Sequence, residues 1–250
     1  MTTRMQKADL ATAGRLLDEQ WTTLRAWLGW LLEDDDAADD GLWSVPASPS
    51  VLPGLTVAEL VAHVGRAMDA LTVTRPAEPG TVPITLAEYL GTYPDRAAEI
   101  AQVTREIARE IEPDPLAAVD AMAAAAFARL AELGPEDLVV QARRGPIMLS
   151  DMVVSRLVEL VVHADDLARS VPHRPGQRPV DTEALDYVAE VLLSIVVVRG
   201  GWSLEVADPL GWVRLATGRT PYDVDQLARA LHPQFTSDSV PDLRGMLPLL

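Results

Sequence analysis

The sequence predicts a mainly α protein, with a bundle of long helices over residues 1–170 and a small α+β domain over residues 181–250. Three observations carry that expectation. Apolar residues recur at helical spacing through the first part of the chain, bracketed by capping signals. The stretch "SVPHRPGQRPV", residues 170–180, is rich in proline and arginine and reads as a linker. Beyond it, helical stretches mix with short alternating runs, in a unit near the lower size limit for independent stability. That unit is expected to lean on the bundle.

The first helix is predicted over residues 8–33, where Leu10, Leu17, Leu24, Leu28 and Leu31 form one stripe with Trp21 and Trp27 beside it. The like-charge run "EDDDAADDG" that follows is expected to be solvated and mobile. Thr56 with Glu59 is a capping box, opening a helix to about residue 72 that packs Leu60, Val64, Met68 and Leu71. Thr85 with Glu88 is a second box, opening a helical region to about Glu112, in which Pro94 either kinks the helix or starts a new one. Asp114 and Pro115 begin the next helix and Gly134 closes it. The alanine run 123–126 within it predicts a close helix–helix approach. "DLVVQARRGP" reads as extended or loop, and Ser150 as the cap of the helix carrying "RLVELVVHADDLA", residues 156–168. Past the linker, residues 182–198 read as helix, "WSLEV" and "WVRLA" alternate as strands do, and "DVDQLARAL" is helix again.

Composition excludes several function classes. A net charge of −16 disfavours nucleic acid and anionic membrane surfaces, which are bound through clustered lysine and arginine. No apolar run approaches the ~18 residues of a membrane span. The N-terminal stretch lacks the apolar core and cleavage site of a signal peptide, so a cytoplasmic protein is expected. There are no cysteines, hence no disulfides and no thiolate metal site. Any thiol chemistry needs a thiol from outside.

The chemistry concentrates in "RLVELVVHADDLA". Glu159 and His163 are four residues apart, about 40° around the helix axis, so they project side by side. Their helix is apolar nearly all round, which points them into the bundle, and a buried carboxylate requires compensation. An ion pair with Arg156, a hydrogen-bond network and a metal ion are the three candidates. His63 sits beside the apolar stripe of the second helix, and with Glu159 and His163 would make three ligands. Imidazole and carboxylate suit zinc, and also nickel, cobalt or ferrous iron, and three protein ligands leave a coordination position open. His173 in the linker and His232 before a proline do not read as ligands.

"PGLTVAELVAHVG", followed about a hundred residues later by "RLVELVVHADDLA", resembles the mycothiol-dependent maleylpyruvate isomerase family of DinB-like metal-binding four-helix bundles. The family pattern is a histidine midway along the second helix, then Arg-x-x-Glu-x-x-x-His-x-x-Asp-Leu; here these are His63 and Arg156, Glu159, His163, Asp166 and Leu167. "DPLGWVRLATGRTP" and the ending "PDLRGMLPLL" resemble the sterol-carrier-like C-terminal domain of many members. The resemblance implies that His63, Glu159 and His163 hold a divalent metal, with zinc the expected ion. It implies mycothiol as thiol cosubstrate and a small electrophile as its partner. The expected reaction is S-transfer or cis–trans isomerisation, in a monomer or homodimer.

Arg156, Asp166 and Arg219 are the candidates for catalytic roles beside that metal. Asp166 either orients a ligand or faces solvent, and Arg156 either supports the site or neutralises Glu159. Arg214 and Arg219 either reach an anionic substrate or form a salt bridge within the C-terminal domain. Two departures stand out. Leu55 occupies a position where members usually carry tryptophan, and the segment between Gly200 and Asp208 is too short for the hairpin of fuller versions. No deep apolar pocket is therefore expected in the C-terminal part. The rival readings are a non-catalytic binder of an apolar ligand, a metal-holding regulatory partner, and a metal-free bundle.

Overall fold

A computed structural model describes residues 9–33, 47–171, 178–235 and 238–250. The acidic run after Glu33 and His173 of the linker lie outside the described residues. Helix α1 (Leu10–Glu33) buries the expected stripe, with Leu17, Leu24 and Leu28 fully enclosed. Helix α2 (Val57–Asp69) starts at a true capping box. Glu59 N donates to Thr56 Oγ1 at 3.2 Å, and Thr56 N donates to Glu59 Oε2 at 2.8 Å. The same arrangement at Thr85 and Glu88 opens the short α3 (Leu86–Leu90). Of the two roles open to Pro94, it begins a 3-10 turn, Pro94–Arg96, from which α4 (Ala97–Ile111) departs. Helix α5 (Pro115–Leu133) is capped by Asp114 and ends at Gly134, whose φ of 82° is open to glycine without strain.

Strands β1 (Arg75–Pro76), β2 (Val139–Ala142) and β3 (Gly145–Met148) form an antiparallel sheet in that order. The β2–β3 hairpin pairs Ala142 with Gly145, which puts Arg143 and Arg144 at its tip. Strand β3 runs straight into α6 (Leu149–Ser170). Here the expected cap is corrected. Ser150 lies inside the first turn, and its N–H and hydroxyl donate to the carboxylate of Asp137 at 2.9 and 3.0 Å. The N-cap position falls to Met148, which has no side-chain acceptor, so a carboxylate from before the hairpin serves the exposed N–H groups.

Helix α6 is the central element, flanked by α1, α2, α7 and the sheet, and Met152 through Leu167 are all buried. Helix α2 runs antiparallel to it, since His63 meets Glu159 while Ala67, one turn on, meets Arg156, one turn back. On its other side α2 crosses α5 closely. A Cβ at Gly65 would fall 2.8 Å from Met122 Sδ and 2.9 Å from Val119 Cγ1. Gly65→Leu is expected to lower stability by about 3 kcal/mol through overpacking, because the helix-propensity gain of about 1 kcal/mol is smaller. Urea unfolding would show it as a reduced midpoint, and an unchanged midpoint would contradict the close crossing.

In the C-terminal part, α7 (Thr182–Gly200) packs on α1 and α6. Strand β4 (Leu204–Val206) pairs antiparallel with β5 (Leu231–Pro233), with α8 (Pro209–Ala216) and α9 (Val224–Ala230) between them. "WVRLA" is therefore helix, not strand. Asp208 caps α8 by accepting from Gly211 N at 3.1 Å, and Pro209 occupies the first turn. Trp212, Val213, Leu215 and Ala216 face inward, a pattern that five residues cannot distinguish from alternation. Trp212 Nε1 donates to Ala189 O at 3.0 Å and ties α8 to α7. The buried apolar residues of this part are continuous with the bundle core.

A cavity of about 510 Å³ lies between α1, α7 and β4, with Leu16, Tyr187, Val191, Val197, Trp202 and Leu204 in its lining. Asp9, Glu183, Asp186 and Glu190 also line it, and it lies against the bundle rather than within residues 181–250, so the expectation for the C-terminal part is not contradicted. The shortened C-terminal part does not enclose one by itself; α1 of the bundle completes the wall. Among the described residues, no helix is long and apolar enough to cross a membrane.

Candidate metal centre

Glu159 and His163 stand one turn apart on the face of α6 that meets α2, and α2 presents His63 from its buried side. Glu159 Oε2 lies 3.1 Å from His163 Nε2 and 3.4 Å from His63 Nε2. The two imidazoles meet edge to face, with centroids 4.4 Å apart. Each residue offers one ligand atom, and all three atoms lie within 4.8 Å of one another. Among the described residues this is the one such group of histidines and carboxylates, and all three members are buried.

The second nitrogen of each ring is held from behind. His63 Nδ1 lies 3.2 Å from Thr104 Oγ1 on α4, and His163 Nδ1 lies 3.0 Å from Asp166 Oδ2. A proton on each Nδ1, the tautomer that metal binding would require, would turn both Nε2 lone pairs to the common centre; such backing fixes tautomer and ring orientation in metal sites. Asp166 is fully buried, so it does not face solvent but stands behind His163. Arg219 reaches Asp166 Oδ2 from the C-terminal part at 3.2 Å, and Arg214 pairs with Asp165 at 2.6 Å. The salt bridge expected within the C-terminal part is thereby corrected, since both partners belong to α6. Both clamp that part onto the last turns of α6, directly behind His163.

Arg156 makes no ion pair with Glu159 among the described residues. Its guanidinium donates to Tyr93 Oη at 2.6 Å, to Ala67 O at 3.1 Å and to Ser155 Oγ at 3.2 Å. It therefore stitches α2, α6 and the segment after α3 together and leaves the Glu159 carboxylate to the histidines. The sequence reading missed Tyr93 and Thr104. Thr104 had a signal: it is the polar member of the stripe formed by Ile107, Ala108 and Ile111. Tyr93 had none, since only the tertiary fold brings it to Arg156.

The charge states follow from these contacts. Burial pushes His63 down to about 4, aided by the neighbouring His163, so it is neutral at physiological pH. Burial alone would raise Glu159, but the hydrogen bonds from His163 and His63 outweigh it and hold the carboxyl well below its usual range. Burial opposes charge on His163 too, yet Asp166 and Glu159 on either side raise it above an ordinary imidazole. Any divalent ion taken up here must displace the proton between His163 Nε2 and Glu159. Metal affinity is therefore expected to fall as pH drops, by about tenfold per unit below the His163 pKa. Titration calorimetry in buffers of different ionisation enthalpy would register the released proton; loading without proton release would contradict the assignment.

Residues 17–168 match the family described as the mycothiol maleylpyruvate isomerase N-terminal domain, over more than half of the chain. The chain belongs to this family. The match runs from within α1 almost to the end of α6, and so includes His63, Glu159, His163, Arg156 and Asp166; Arg214 and Arg219 lie beyond it. No curated protein and no solved structure matches the chain. Membership in the mycothiol maleylpyruvate isomerase family supports a mycothiol-related, isomerase-like function. The residues fit a metal ion on their own chemistry. Two imidazoles and one carboxylate converge with donor atoms in reach of a single point, and among the described residues no lysine or arginine hydrogen-bonds to the carboxylate.

Proposed function

We propose that the chain is a metal-dependent enzyme that uses mycothiol, or a similar small thiol, to attack a small electrophile. His63, Glu159 and His163 would hold the ion, with zinc the natural choice for two nitrogens and one carboxylate oxygen. A divalent ion there supplies the electrostatic pull that turns a thiol of pKa near 8.5 into a thiolate at neutral pH. The observation carrying this reading is the buried trio itself, three ligands whose backing groups are already in place and which leave a coordination position open.

The chain's own residues provide the rest. Thr104 and Asp166 keep the imidazole lone pairs aimed inward. His163, and after it Arg219, hold Asp166 in its charged form against burial, and Arg156 with Tyr93 braces the α2–α6 contact beside Glu159. The surrounding Val, Leu and Ala side chains of α2 and α6 exclude water, which strengthens every charge interaction inside. Addition of sulfur to an activated double bond and its later loss gives isomerisation; addition with displacement of a leaving group gives an S-conjugate. Both fit a cytoplasmic protein, where small thiols stay reduced.

Cobalt-substituted protein tests the reading. Added mycothiol is expected to produce an intense near-ultraviolet band from sulfur–cobalt bonding. A cobalt spectrum indifferent to mycothiol and to other small thiols would overturn it. A second reading, carriage of an apolar ligand, draws on the 510 Å³ cavity between α1, α7 and β4, which shares no residue with the metal trio. An apolar fluorescent probe whose binding is unchanged by chelators would favour that role.

A further inference from the structure

Helix α7 is apolar along most of its length, yet the described residues leave one of its faces uncovered. Tyr187, Val191 and Val197 are half-buried there, and Val198 is 63% exposed. These side chains form one wall of the 510 Å³ cavity between α1, α7 and β4, a volume within the range of small-molecule sites. Trp202 stands beyond the C-terminal end of that wall, placed by two glycines. Gly201 turns the chain with a φ of 72°, and the indole then packs on Gly200, where it leaves no room for a Cβ.

The polar part of the lining is acidic. Of its four carboxylates two are engaged: Asp9 accepts from Thr12 N and Oγ1 at 3.0 and 2.7 Å, and Glu183 pairs with Arg15. Asp186 and Glu190 lie one turn apart on α7, on either side of Tyr187, and have no donor or cationic partner among the described residues. Burial, followed by the like charges of Asp186 and Glu205, raises Glu190 above an ordinary carboxyl, and a nearby cation would relieve this. These carboxylates do not converge on a point as the metal trio does, the trio being the one such group among the described residues. The charge that complements them is therefore diffuse rather than that of a bare metal ion. Aromatic faces such as those of Tyr187 and Trp202 attract the same kind of charge.

We infer that this cavity binds an organic monocation, an apolar body bearing one amine or quaternary ammonium head. The head sits at Asp186, Tyr187 and Glu190, and the body lies along Val191 and Val197 toward Trp202. From Glu190 to Val197 is about two turns of α7, roughly 10 Å, which a hexyl chain with its head spans. The net charge of −16 favours a positive ligand over a negative one. The site is that of the carriage reading, on which the choice of cavity rests, and it shares no residue with the metal trio.

Calorimetric titration of the full chain with hexyltrimethylammonium, hexanol, hexanesulfonate and tetramethylammonium tests this at one ionic strength. Hexyltrimethylammonium is expected to bind about tenfold or more tightly than hexanol or tetramethylammonium, and hexanesulfonate not to bind. The double variant Asp186→Asn, Glu190→Gln should weaken hexyltrimethylammonium about tenfold, through two exposed charge pairs, and leave hexanol unchanged. Both substitutions are on the surface and relieve like charge, so the fold is kept. Trp202→Leu should weaken hexyltrimethylammonium and hexanol alike, which marks the cavity as the site. Hexanol bound as tightly as the cation overturns the inference and leaves carriage of a neutral ligand standing. Tetramethylammonium bound as tightly, or wild-type affinity in the double variant, also overturns it. So does cation binding that is lost in Glu159→Gln, which would place it at the metal trio. Binding that appears only after residues 1–8 are deleted makes Arg4 and Lys7 of the chain itself the occupant, and overturns it too. Carboxylate-dependent cation binding in a protein whose cobalt spectrum ignores thiols supports the site while removing the proposed thiol chemistry.

Discussion

Glu159→Gln is expected to abolish metal uptake. Elemental analysis of wild type should give about one divalent ion per chain, and the variant less than about a tenth of that. Glutamine keeps the shape of the side chain but removes the anionic donor that faces both histidines at 3.1 and 3.4 Å. Loss of a group that merely backs a ligand costs about 10–100-fold in affinity, so loss of a direct donor should exceed that. Removing the carboxylate also removes much of what holds the proton on His163. The variant then buries a neutral His63, an amide and a His163 still backed by Asp166, a tolerable set, so circular dichroism should remain that of wild type. Full metal occupancy in the variant would eliminate Glu159 as a ligand and with it the proposed chemistry.

Asp166→Asn should weaken metal binding by about 10–100-fold and loosen the C-terminal part from the bundle. Asp166 accepts from His163 Nδ1 at 3.0 Å and from Arg219 at 3.2 Å, and its side chain is fully buried against 16% exposure for Arg219. The substitution leaves Arg219 largely buried without its anion, a loss of about 3 kcal/mol for a broken buried pair. Arg219→Gln separates the two effects. It removes the clamp but leaves the bond from His163 to Asp166, so stability should fall with a smaller change in metal affinity. Equal losses of affinity in both variants would mean that the C-terminal part, rather than the orientation of His163, controls the centre.

The three members of the trio were legible in the sequence because each belongs to a regular element with a simple period. Glu159 and His163 are four apart in a helix with no polar face, and His63 lies in a helix opened by an unambiguous capping box. The hairpin tip was not legible, because Arg143 and Arg144 gain their position from the pairing of Ala142 with Gly145. The role of Arg156 was open for the same reason. Its spacing permits a pair with Glu159, and only the approach of Ala67 and Tyr93 draws the guanidinium away. "WVRLA" misled because its inward positions suit both periods, and the cap at Asp208 with the bond from Trp212 to Ala189 decides between them. Ser150 misled because residue type at a helix start signals a cap even where a distant carboxylate has taken the task.

Local chemistry along the chain determined the helices, their starts and stops, and the presence of a carboxylate and two histidines on buried faces. Those features depend on residue spacing and on side chains bonding to nearby backbone. The tertiary structure decided which groups stand behind the two histidines, that Asp165 and Asp166 receive Arg214 and Arg219 across the molecule, and that Arg66 Nε and Arg144 Nη1 find no acceptor among the described residues. These are contacts between residues remote in sequence, and their distances follow from how the helices pack rather than from any period within one of them.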